Sequence, residues 1–406
     1  MTEQEVTCVA SCLIFRLLAR MRVRKPSQRR DAQMNLAEIL VYTDIRQLHQ
    51  IANHYGCDCN PHSKNELITS LMSSLRHRST ISQEVEQLSV EETHFFLLLF
   101  LDKRTVMSLE DLLAKAGIAL DSRKEQKREE ARRYLAQAMK RGWVYPVKNK
   151  TVGEYQIPLD IREPYLQAWL ERWRRQYAQA AGQELDAYRD EGTALCEDIM
   201  QFLQFLQREP VPLTAEGGMY KRHQQQLFQF LSVKEDPLPP QKWRFGYGLH
   251  FDLYPDRFSL LYDFCYYNKW VEEREGRVWL TEAGRDRLEQ MYEDSLHHDL
   301  IRFWMRLYKR AIPNLPMLVQ LIPLLASGGW VSQNELAETL LAWIKPFYYD
   351  EPSQILNNRV CKMMVHLGLL RVGQDDRGNW LYQATYASQT WLRKYNGFTE
   401  TTISLK

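Results

Sequence analysis

Three times along this chain a polar, helix-forming stretch ends in a short turn, an apolar strand, a polar turn and a second strand. A motif recurring at long period constrains the fold more tightly than any local propensity does. The first copy is Lys140-Arg141-Gly142-Trp143-Val144-Tyr145, a loop from Lys148 to Gly153, then Tyr155-Gln156-Ile157. The second is Tyr267-Asn268-Lys269-Trp270-Val271-Glu272, a Glu275-Gly276 turn, then Val278-Trp279-Leu280-Thr281. The third is His366-Leu367-Gly368-Leu369-Leu370-Arg371-Val372, the turn Asp375-Asp376-Arg377-Gly378, then Trp380-Leu381-Tyr382.

Two β-branched or aromatic runs joined by a Gly-containing turn predict a hairpin. Helical periodicity precedes each one. In copy one, helices are expected near 91–102, 109–116 and 125–140; in copy two near 193–207 and 257–268; in copy three at 333–343 and 353–367. Each unit therefore reads as a helix-turn-helix followed by a wing. The expected fold class is mainly α (α+β), with tandem winged-helix units and short β-hairpin wings. Copy two carries an insertion, residues 234–254, in which Pro237, Pro239 and Pro240 forbid a helix. The expected organisation is a basic N-terminal extension (1–33) outside the fold, a helical module (34–80), unit one (81–170), a helical linker (171–192), unit two (193–290) and unit three (291–406).

A length of 406 residues with 45% apolar and 26% charged residues suits several packed cores and excludes a disordered chain. Net charge is +2, so any polyanion has to be held by local basic faces. Seven scattered Cys suit reduced thiols, and no apolar run reaches the length of a membrane span, which together point to the cytoplasm. The apolar stretch near the N-terminus is followed, not preceded, by basic residues, the reverse of a secretion signal, and Met34 opens the patterned part of the chain.

Within the helical module, Ile45, Leu48, Ile51, Ala52 and Tyr55 share a helix face that Gly56 ends, and Ser63 with Glu66 forms a capping box before Leu67, Ile68 and Leu71. This segment resembles a SAP-type DNA-binding helix-loop-helix through Gly56, Lys64, Leu67, Ile68 and Leu71, which implies a DNA contact at Lys64. Residues 196–288 resemble the helicase-associated domain found near the N-terminus of XPB-type DNA repair helicases and in related bacterial proteins. The carrying residues are Pro212-Leu213-Thr214, Gly217-Gly218, Lys221-Arg222 and Trp279-Leu280-Thr281-Glu282-Ala283-Gly284. The resemblance implies a role beside DNA in repair, replication or transcription. It does not imply a helicase, because no Walker A loop is present to hold nucleotide phosphates.

Chemistry concentrates on cations. Arg128, Arg132 and Arg133 share a face of the third helix of copy one, with Lys148 and Lys150 in its wing, and are expected to grip DNA. The rival reading is a solvated face laced by pairs such as Glu129 with Arg133. Lys221 and Arg222 stand at a helix start, where free amides favour phosphate, although ordinary capping explains them as well. Asn358, Arg359 and Lys362 lie on the corresponding helix of copy three and are candidates for reading bases; equally, they form its polar side. Cys57, Cys59 and His62 lack the spacing and the fourth ligand of a zinc site, and His297, His298 and Asp299 point to different sides of a helix. No nucleophile elbow or HExxH motif occurs, so no catalytic residue, metal or cofactor is assigned. The expected partners are duplex DNA and, on the alternative of a protein adaptor, a helicase, nuclease or polymerase subunit docked around Trp243, Phe245 and Tyr247.

Overall fold

A computed structural model of the protein describes residues 34–120, 124–147, 153–177, 182, 184–239, 243–290, 295–395, 397 and 403. The expected extension 1–33, and Lys148 and Lys150 of the first wing, lie outside the described residues. The chain is mainly helical, with small antiparallel sheets of short strands.

Four helices open it: α1 (Leu36–Tyr42), α2 (Ile45–His54), α3 (Lys64–Arg76) and α4 (Arg78–Glu86). Leu48, Ile51 and Ala52 of α2 are buried as their spacing predicts. Ser63 caps α3 by accepting from Glu66 N, but the Glu66 carboxylate reaches past the cap and accepts from Asn60 N at 3.2 Å, so the expected box is only half formed. Unit one follows as α5 (Val90–Phe100), β1 (Met107–Ser108), α6 (Leu109–Ala119), α7 (Lys124–Lys140), β2 (Tyr145–Pro146) and β3 (Glu154–Gln156). Helix α8 (Leu159–Tyr177) packs against α4, and β4 (Tyr188–Arg189) comes after it.

Unit two is α9 (Ala194–Arg208), β5 (Val211–Pro212), α10 (Lys221–Phe230), α11 (Asp256–Tyr267), β6 (Val271–Arg274) and β7 (Arg277–Leu280). Helices α12 (Glu282–Glu289) and α13 (Ser295–Tyr308) lead into unit three. That unit is α14 (Leu315–Leu325), β8 (Val331–Ser332), α15 (Gln333–Leu340), a composite helix α16, β9 (Leu370–Gln374) and β10 (Trp380–Ala384), closed by α17 (Tyr386–Lys394). Helix α16 starts with Pro352–Gln354, widens into a π-helix at Ile355–Cys361 and ends with Lys362–His366.

The three units share one element order and one strand order, with the first strand beside the last: β1-β3-β2, β5-β7-β6 and β8-β10-β9. The residues joining the third helix to the hairpin repeat as well. Gly142, Lys269 and Gly368 all take left-handed φ, at 67°, 57° and 66°. The following N–H groups of Trp143, Trp270 and Leu369 reach back to Ala138 O, Cys265 O and Met364 O at 2.9, 3.0 and 2.8 Å. This is the Schellman closure that turns a helix sharply into a strand. In units two and three a threonine then pins the hairpin base, Thr281 Oγ1 donating to Lys269 O and Thr385 Oγ1 to Gly368 O, both at 2.6 Å.

The segment 172–190, expected as a helical linker between the first two units, differs. Its helix is described as far as Tyr177, and Tyr188–Arg189 pairs antiparallel with Gly373 and Val372, adding a fourth strand to the sheet of unit three. One apolar cluster runs through all three units; Trp330 and Leu381 form a small separate one. Units one and three meet where the His94 ring stacks on Trp343, with centroids 5.2 Å apart, and where Trp173 Nε1 donates to Thr339 Oγ1 at 2.7 Å.

Candidate nucleic-acid interface

Helix α7 is amphipathic in the expected sense. Ala131, Leu135 and Ala138 are buried, so one stripe at helical spacing faces the core, and Arg128, Arg132, Arg133 and Lys140 are exposed on the other side. None of the three arginines makes an ion pair or hydrogen bond with a described residue, and Glu129 does not reach Arg133 to form the pair that a neutralised face would show. Arg141, one residue beyond the helix, is turned inward. It lies between Glu84 and Glu92, at 3.6 and 3.2 Å, while the Tyr55 hydroxyl donates to its carbonyl at 2.9 Å. The N-terminal helices therefore brace the end of α7 and leave its basic side open.

Lys64 is not so placed. Half-buried at the start of α3, it donates to Val41 O at 2.8 Å, so its ammonium closes the carbonyl end of α1 and is already spent on a structural bond. Cys57 Sγ lies 3.3 Å from Ser74 Oγ. Among the described residues no cluster of three or more His, Cys, Asp or Glu is disposed to hold a metal ion.

In unit two, Lys221 and Arg222 are exposed at the start of α10, whose cap residue Tyr220 offers no side-chain hydrogen bond; both edge a cleft of about 500 Å³. The third helix of this unit, α11, is buried at every position from Arg257 to Cys265 and has no open face. Arg257 is fully enclosed, 2.9 Å from Glu191 and 2.6 Å from Asp198. Burial pushes the Glu191 carboxyl up, but its hydrogen bond to His366 and the charges of His366, Arg257 and Arg189 more than offset this and hold it at about 2.

This charge cluster extends into unit three and corrects one expectation, that for Arg359. Arg359 is buried, with Nε 2.8 Å from Asp350 and Nη2 donating to Phe245 O at 2.6 Å, and its plane lies 5.1 Å from the Tyr247 ring. It fastens the insertion to α16 and is not available to read a base. The reason is the π-helical turn and the insertion, which bring carboxylates and a carbonyl to a side chain that looks like polar surface in sequence. Lys362 is bonded to Asp256 at 2.7 Å, with Arg244 on the other oxygen of that carboxylate, and its side chain remains half-exposed. Asn358 is exposed as expected.

Of the insertion aromatics, Trp243 is 71% exposed, Phe245 packs among Phe347, Tyr348 and Tyr349, and Tyr247 sits edge-on to Tyr308 at 4.7 Å. Tyr348 and Tyr349 are also exposed, at the tip of a two-residue turn closed by mutual Phe347–Asp350 backbone bonds.

Neither a protein-family model nor a curated protein matches this chain. No described helix is long and apolar enough to cross a membrane.

Proposed function

We propose that the protein is a non-catalytic DNA-binding accessory built of three winged helices, in which unit one carries the duplex contact. The observation that carries this reading is the open row of Arg128, Arg132 and Arg133 on α7. This is the third helix of a helix–strand–helix–helix–hairpin unit, the element that enters a major groove in winged-helix complexes. Lys221 and Arg222 add phosphate contacts at the start of α10. The other two third helices contribute differently: α11 is a core helix, and α16 is tied into the charge cluster along one side.

The test is a fluorescence titration of labelled duplex DNA at two salt concentrations. Log affinity should fall with log salt at about 0.9 per phosphate neutralised. The double variant Arg128→Glu/Arg132→Glu should weaken binding evenly across sequences and flatten that slope by roughly two. A parent protein that ignores duplex DNA at low salt ends the reading.

The exposed Trp243, Tyr348 and Tyr349 favour a second reading, an adaptor that docks a helicase, nuclease or polymerase subunit, since exposed aromatic clusters mark partner surfaces. Capture of such a subunit that survives nuclease treatment, and is lost with Trp243→Ala, separates it from the first.

A further inference from the structure

A cleft with a volume of about 890 Å³ lies between α16 and the hairpin of unit three. One wall is the polar side of α16, where Gln354, Asn357 and Asn358 line it. The other wall is one face of the sheet. Register fixes which residues share that face: Trp380 stands opposite Gln374, Tyr382 opposite Val372, and Val372 opposite Arg189, all in alternate positions. Tyr188, Gly373 and Leu381 alternate with these in register, and of the three Tyr188 and Gly373 also line the cleft.

We propose that this groove binds an unpaired nucleotide, its base stacked on Trp380 and its phosphate toward Arg189 and Lys362. The inference rests on the nucleic-acid reading of the molecule and adds a single-strand subsite to the duplex contact on α7. Trp380 is a large flat ring, 47% exposed on a strand, and makes no ring–ring contact among the described residues. Such rings are sequence-tolerant stacking platforms for bases. Carboxamides carry donor and acceptor side by side, the complement of a base edge.

Asn357 and Asn358 both fall in the π-helical turn, and such turns concentrate at functional sites. No carboxylate lines the groove, while two cations do. Glu191 and Asp256, which hold Arg189 and Lys362 at 2.5 and 2.7 Å, belong to the charge cluster and not to the groove lining. An anion with a flat, hydrogen-bonding ring fits this lining better than a peptide, which would want side-chain pockets along an open strand edge.

The experiment is anisotropy of a labelled oligothymidylate single strand with the full chain, alongside the duplex titration. Trp380→Ala should weaken single-strand binding roughly tenfold or more while leaving duplex affinity unchanged. Asn358→Asp, which sets a negative charge at the mouth, should also weaken single-strand binding, without removing a ring. Both positions are exposed, and circular dichroism with thermal melting verifies that each variant folds. Competition by free thymidine monophosphate shows that a lone nucleotide suffices, and competition by oligonucleotide alone shows that a strand is needed; either supports the groove. Single-strand binding that is equal in parent and both variants overturns it, as does capture of an extended peptide in its place. A parent protein that binds duplex but no single strand sinks this inference and spares the duplex reading; a parent that binds neither sinks the two together.

Discussion

Glu235 shows what a single side chain contributes when its surroundings are assembled from distant parts of the chain. Its Oε2 is buried without a hydrogen bond, and burial raises the carboxyl from 4.5 to about 7 against the pull of Arg257. A carboxyl whose folded pKa lies above its unfolded one adds most to stability when protonated. That contribution is intact below pH about 4.5 and is lost as pH rises to about 7. Glu235→Gln removes the dependence, so the variant should gain on the parent as pH rises from about 5 to about 8, read as urea midpoints. Midpoints that stay parallel across that range would contradict the assignment. Residue character was legible in sequence where burial follows from periodicity: Ala131, Leu135 and Ala138 point α7 inward and thereby free Arg128 and Arg132. It was not legible for Arg359, because its partners Asp350, Asp256 and Phe245 arrive from a turn and from another unit.

At the scale of elements, the repeated closure between third helix and hairpin makes an internal comparison possible. Gly142 and Gly368 supply left-handed φ freely, whereas Lys269 adopts it with a side chain. Lys269→Gly should therefore hold or slightly raise the melting temperature. Gly368→Ala should cost at least about 2 kcal/mol, since strained φ is joined by collision: a Cβ there would stand 1.8 Å from Gly192 O. A Gly368→Ala protein that melts with the parent would refute this account. The hairpins were readable because alternating apolar runs and Gly turns are local signals. Strand β4 was not, because two residues carry no period and their partner β9 lies far along the chain. Thr281 and Thr385 were missed as a pair, although both stand at the same step after a hairpin and repeat the same bond.

Over the whole molecule, the continuous core and the buried ion cluster argue for one cooperative body. Arg257 belongs to unit two, Glu191 precedes it, and His366 and Arg359 belong to unit three. Calorimetry should thus give a single unfolding transition. Arg257→Met, which leaves Asp198 enclosed without a counter-charge and strips Glu191 of one of its three basic partners, should shift that transition as a whole by about 3–5 kcal/mol. Separate transitions for separate units would disprove the coupling.

The sequence by itself determined the threefold hairpin repeat, the helices that lead into the hairpins and the amphipathic pattern of α7, because these depend on spacings within a few residues. Tertiary structure alone decided which third helix stays open. Burial of α11, the seating of Arg359 and the groove beside Trp380 all follow from how one unit is pressed against the next, and desolvation of a charge is a property of its neighbours in space.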